Sequence, residues 1–122
     1  GGDVALIAIG DMVHLALEAA AVLHQQGIEA RVLDMHTLKP LDRAAVESAI
    51  QEIGRIVTIE DHNILNGLGS AVSECVAERG HGIVRRIGVQ DQYGQSAPYE
   101  RLLAMNGITV ENIVNQAKSL LE

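Results

Sequence analysis

The chain predicts an α/β fold, a mainly parallel four-stranded sheet with helices on both faces. Three observations carry this. Apolar strand-like runs alternate with helix-periodic stretches from one end of the chain to the other. The runs are continuous in Val, Ile, Leu and Ala rather than alternating with polar residues, as strands covered on both sides require. The connections are short and punctuated by Gly, Asp and Pro, and short right-handed crossovers make neighbouring strands parallel.

Each element has its own local reason. Val4 to Ile9 is an unbroken apolar run ended by Gly10, and Asp11 stands where it can cap the helix that follows. In that helix Val13, Ala16, Leu17, Ala20 and Leu23 recur at helical spacing, and Gly27 closes it. Glu29 to Met35 is the second strand. Thr37 to Leu41 connects it onward; Pro40 delays the next helix and Asp42 caps it. Val46, Ala49, Ile50 and Ile53 form that helix's buried stripe, and Gly54 terminates it. Arg55 to Glu60 is the third strand, followed by a helix with Ala71, Val72, Cys75 and Val76 on one side and an end near Gly80. Ile83, Val84, Ile87 and Val89 mark a fourth strand, and its adjacent Arg85 and Arg86 suit a sheet edge. Ser96 and Pro98 open a short helix that stops at Gly107. Thr109 caps a last one with the stripe Val110, Ile113, Val114, Ala117, Leu120 and Leu121. The expectation is one domain over residues 1–122, with no linker or repeat.

Composition narrows the function. At 122 residues with 48% hydrophobic content, the chain can bury a core without staples. Aromatics are two Tyr with no Phe or Trp, so that core is aliphatic. A net charge of −7 opposes phosphate backbones, and the platforms for stacking bases are missing, which argues against nucleic acid. No apolar run approaches the ~20 residues of a membrane helix. The lone Cys75 has no disulfide partner, and a cytoplasmic protein is expected.

The stretch from Ile56 to Glu74 is the most informative. Ile56-Val57-Thr58-Ile59 reads as a buried strand, Glu60-Asp61-His62-Asn63 as its polar end, and Gly67-Leu68-Gly69 as a tight turn, with Ser70 as N-cap of the next helix. A glycine turn at a helix start can hold an anion. Here Val72 occupies the third position of Gly-x-Gly-x-x-Gly, no P-loop exists, and Glu60 and Asp61 repel phosphate. Asp61 and His62 sit where α/β sheets place ligands and can form an acid–base pair, but no nucleophile elbow accompanies them. Cys75 lies on an apolar helix face and reads as packing. His14, His24, His36, His62 and His81 are scattered without metal-ligand spacing. The residues favour a polar strand end that meets a neighbouring domain.

This arrangement closely resembles the C-terminal domain of transketolase-type thiamine diphosphate enzymes. In that family an acidic pair or Glu-Glu-His ends a strand, and Gly-Gly-Leu-Gly-Ser-Ala-Val opens a helix. The likeness extends over Asp3 to Gly10, Gly27 to Asp42 (with Met35-His36-Thr37-Leu38-Lys39-Pro40-Leu41-Asp42 closest to split transketolases), Arg86 to Ser96, and Leu102 to Ile108. Asp61, Asn66 and Ala97 depart from the family pattern. The resemblance implies strand order 2-1-3-4 and an extra antiparallel strand beside the second strand, whose edge is otherwise bare. It implies a non-catalytic assembly domain that binds no cofactor or metal itself, in an enzyme using thiamine diphosphate and Mg²⁺ to transfer ketol units between sugar phosphates. The diphosphate motif Gly-Asp-Gly…Asn is absent, and Gly10-Asp11-Met12 only mimics its start. The implied partner is the N-terminal, diphosphate- and pyrimidine-binding portion of the same enzyme, in a homodimer. Glu60, Asp61, His62, Asn63, Asn66, Gly67, Gly69 and Ser70 form the expected contact loop. Two other readings stay open: a flavodoxin-like module binding an anion or nucleotide at the Gly67–Ser70 turn, and the equivalent domain of a 2-oxoacid dehydrogenase β subunit or deoxyxylulose-phosphate synthase.

Overall fold

The computed structural model describes residues 2–36, 42–63, 67–89 and 98–122. Strands β1 (Val4–Ile9), β2 (Ala30–Met35), β3 (Arg55–Asn63) and β4 (Ile83–Val89) form one sheet in the order β2-β1-β3-β4, with every pair parallel. Helices α1 (Val13–Gln25), α2 (Arg43–Glu52), α3 (Leu68–Arg79), α4 (Tyr99–Met105) and α5 (Val110–Ser119) complete the fold. The expected topology and strand order are therefore those observed. Among the described residues no helix is long and apolar enough to cross a membrane.

Side chains of a strand alternate between faces, and the sheet divides its apolar residues accordingly. Val4, Leu6 and Ala8 of β1 with Val57 and Ile59 of β3 pack against Ala16, Ala19 and Leu23 of α1 and Ile113, Val114 and Ala117 of α5. Ala5, Ile7 and Ile56 point the other way, against Val46, Ala49 and Ile50 of α2 and Leu68, Val72 and Cys75 of α3. Both cores are aliphatic. Across the outer surface Arg43 Nη2 reaches Glu78 at 2.6 Å and ties α2 to α3. Both edge strands are less covered than the centre: β2 is half-buried from Ala30 to Leu33, and Arg85 and Arg86 of β4 are exposed.

Local capping agrees with the sequence where donor and acceptor lie in the same turn. Asp42 Oδ1 accepts from Ala45 N at 3.1 Å, and Thr109 Oγ1 accepts from Asn112 N at 3.1 Å. Gly80 ends α3 in the left-handed region at φ 68°, where other residues are strained. Four expectations need correction. Asp11 makes no cap, because the chain passes through a 3-10 turn, Gly10–Met12, before α1 begins at Val13. Leu17 is exposed and Ala19 takes its place in the buried stripe of α1. Ser70 is not the N-cap of α3; the helix starts earlier, at Leu68, with Gly67 as the cap residue. The second strand starts at Ala30 rather than Glu29. The connection at 37–41 and the segment 90–97, including Ser96, lie outside the described residues.

Candidate functional site

Strand β3 does not stop at Glu60 but continues to Asn63, and its pairing with β4 shifts register between Ile59 and Asn63. Such an irregularity bends a strand end and re-aims its side chains. On the α2/α3 side of β3, Ile56 is followed by Thr58 and Glu60, both buried, the carboxylate at 1% exposure. A buried carboxylate is costly unless donors surround it. Glu60 finds them at the start of α3: Oε1 accepts from Leu68 N and Oε2 from Gly69 N, each at 2.7 Å. The first turn of α3 is thus capped from strand β3, across the turn, with the negative charge placed on the positive end of the helix dipole.

Glycine at position 69 is what lets the helix come so close. A Cβ there would stand 2.7 Å from Arg86 Nε and 3.1 Å from Thr58 Oγ1. The reason is close approach, because Gly69 is not among the positive-φ glycines. Arg86 crosses over this glycine from β4, and its Nη2 donates to Ser70 Oγ at 2.8 Å. Thr58 Oγ1 beneath it is buried with no hydrogen-bond partner among the described residues.

Beyond the buried part, Asp61 Oδ2 accepts a 2.7 Å hydrogen bond from the Tyr99 hydroxyl at the start of α4. Desolvation, the bond to Asp61 and the nearby carboxylates of Asp61 and Asp11 push the Tyr99 phenol up to about 12. Tyr99 is still 48% exposed, and no residue of α4 is buried. Asp11, at the end of β1, and Asp61, at the end of β3, flank the point where the strand order reverses. That is the ligand crevice of an open α/β sheet, and here it is lined with acids.

The expected contact residues are therefore sorted by the structure. Glu60, Gly67 and Gly69 are buried, with Glu60 and Gly69 shaping the turn; Asp61 and Ser70 are partly exposed; His62 and Asn63 close β3; Asn66 lies outside the described residues. The Glu60 cap and the Tyr99 contact were missed from sequence, since each joins residues distant in the chain. Cys75 is buried, and burial pushes its thiol up, away from the reactive thiolate. Two amides of the Gly67–Ser70 turn, Leu68 N and Gly69 N, are already given to Glu60. The described residues gather no group of three or more His, Cys, Asp or Glu able to hold a metal.

Comparison with known proteins agrees with this geometry. The family model described as transketolase, C-terminal domain, matches residues 1–113. A 6-deoxy-6-sulfo-D-fructose transketolase subunit from Clostridium sp. (strain MSTE9) is 42% identical over 122 residues, spanning all of this chain and 38% of the relative. A 1-deoxy-D-xylulose-5-phosphate synthase from Heliobacterium modesticaldum (strain ATCC 51547 / Ice1) is 41% identical over 123 residues, again spanning all of this chain but 19% of the relative. A solved split gene transketolase, an inactive β4 tetramer, superposes with a TM-score of 0.91 at 40% identity, covering 99% of this chain and 40% of that one. The chain thus spans between a fifth and two-fifths of the length of these relatives. With a parallel 2-1-3-4 sheet, a family match over nearly its whole length and relatives at this identity, the chain belongs to the transketolase C-terminal domain family.

Proposed function

We propose that residues 1–122 form a non-catalytic C-terminal assembly domain of a cytoplasmic, thiamine-diphosphate-dependent transketolase that moves ketol units between sugar phosphates. The observation that carries this reading is the full-length match to a transketolase subunit, in which the chain accounts for 38% of the relative. The remainder of such an enzyme is the natural source of the cofactor site. The described residues do not fit a diphosphate: the α3 N-terminus is occupied by Glu60, and the crevice at the ends of β1 and β3 carries Asp11 and Asp61 rather than hydrogen-bond donors for phosphate, while no three His, Cys, Asp or Glu among them gather as a metal-binding group.

The partner in this reading is the N-terminal, diphosphate- and pyrimidine-binding portion of the enzyme, and the full assembly is a homodimer. The contact residues in this reading are Glu60, Asp61, His62, Asn63, Asn66, Gly67, Gly69 and Ser70, with Glu60 also fixing the start of α3. The half-buried edge β2, paired only with β1 among the described strands, supplies a second place for the partner to add a strand. A net charge of −7 keeps copies of the chain apart while a complementary partner relieves it.

Calorimetric titration of the chain with thiamine diphosphate and Mg²⁺ tests the cofactor part, with no saturable heat expected. Micromolar binding overturns it. Light scattering with and without the N-terminal polypeptide tests the partner. A stable complex is expected, whereas a tight dimer of the chain alone, unaffected by that polypeptide, shows that the interface is self-contained.

A further inference from the structure

The opposite end of the sheet, where β3 and β4 begin, holds a surface cavity of about 300 Å³ lined by Ile53, Gly54, Arg55, His81, Gly82 and Ile83. Its lining includes two side chains able to carry positive charge and no acid. Neither Arg55 nor His81 has a hydrogen-bonding or ion-pair partner among the described residues. By contrast, Arg31, Arg43 and Arg79 are all engaged with Glu or Gln side chains. Arg85 is exposed two residues further along β4, on the same face as Ile83. In a chain of net charge −7, this is a local reversal of sign.

The hollow is also built by backbone. Gly54 at φ 77° and Gly82 at φ 109° bend the two entering segments toward each other, and Ile83 N donates to Gly54 O at 2.8 Å. The His81 ring packs against Gly54, its Nε2 lying 3.1 Å from where a Cβ would stand. The amides of His81 and Gly82 have no backbone acceptor among the described residues. Uncommitted amides beside a guanidinium and an imidazole offer a set of donors for oxygen anions.

We propose that this cavity is an accessory oxyanion site, with Arg55 as the charged donor and His81 as the second. Its ligand class is a small phosphate or carboxylate, and the volume sits at the lower limit of small-molecule sites. The proposal is independent of the assembly reading, because the cavity lies at the other end of the sheet from the contact loop.

The test is a backbone amide NMR titration of the full chain with inorganic phosphate, with acetate and with chloride at matched ionic strength. Phosphate should move the Gly54, Arg55, His81 and Gly82 resonances saturably. Arg55→Gln and His81→Asn should each weaken that binding by about tenfold or more. Both residues are exposed, and unchanged melting temperatures would confirm that the variants fold. Acetate moving the same resonances extends the ligand class to carboxylates; a response to phosphate alone restricts it to phosphates, and either supports the site. Equal shifts with chloride, shifts that do not saturate, or unaltered binding in both variants overturn it.

Discussion

The two ends of the sheet differ in how they treat charge. At the carboxyl end, where open α/β folds ordinarily bind anionic ligands, the helix N-terminus is filled by the protein's own Glu60 and the crevice is acidic. At the amino end, Arg55 and His81 stand free around an open hollow. The fold class alone therefore does not tell where a ligand binds. What decides it is which backbone donors remain uncommitted, and here the usual site has been converted into a structural joint.

Breaking that joint should have the largest effect. Glu60→Ala leaves two buried amides without an acceptor and removes a charge from a helix dipole, so stability should fall by about 3 kcal/mol in denaturant unfolding. A loss below experimental error would mean that water replaces the carboxylate and that the turn is open to ligands after all. Next comes Gly69→Val, which forces methyl groups against Thr58 and Arg86; overpacking of this kind costs about 2 kcal/mol. An unchanged Tm would show that Arg86 simply swings away.

Tyr99→Phe removes only the tie between α4 and Asp61, an exposed bond, and should cost less than about 1 kcal/mol. Its clearer readout is faster amide exchange in α4 alone. The same contact has a defined pH sense. The phenol is raised in the folded chain from an ordinary 10.0 to about 12, so its contribution is complete below the unfolded value. It is lost as pH rises between the two. Alkaline titration of tyrosinate absorbance in a Tyr93→Phe background, native and unfolded, should show that separation, and coincident curves would remove the contact. The smallest effect is expected at the other end, where Arg55→Gln should leave Tm unchanged to within about 2 °C because the side chain has no partner to lose. A large drop would show that the amino end is also structural.

What could be read from the sequence was whatever is encoded within a few residues. β1 was legible from Val4 to Ile9 because six consecutive apolar residues admit no exposed face. The Asp42 and Thr109 caps were legible because acceptor and donor are three residues apart. The α3 cap was not: Ser70 looked right by type, but Glu60, reaching back from the strand, occupies the amides first, and nothing local signals a bond made across a turn. Asp11 failed for a related reason, since the 3-10 turn delays the helix it seemed to start. The placement of Arg55 and His81 around one hollow follows only from parallel β3 and β4 beginning side by side. The functional family, by contrast, was legible from the motif strings, because those strings record the turn geometry as a unit.

The aliphatic interior has an optical consequence. With no Trp or Phe, and Tyr99 lying outside both cores, the described residues of the packed layers contribute no aromatic signal to intrinsic fluorescence or near-ultraviolet dichroism. Among the described residues the only chromophore sits on a carboxylate at the edge of the fold. A change in Tyr99 emission, isolated in a Tyr93→Phe background, therefore reports the seating of α4, and loss of the described core has to be followed by backbone signals instead.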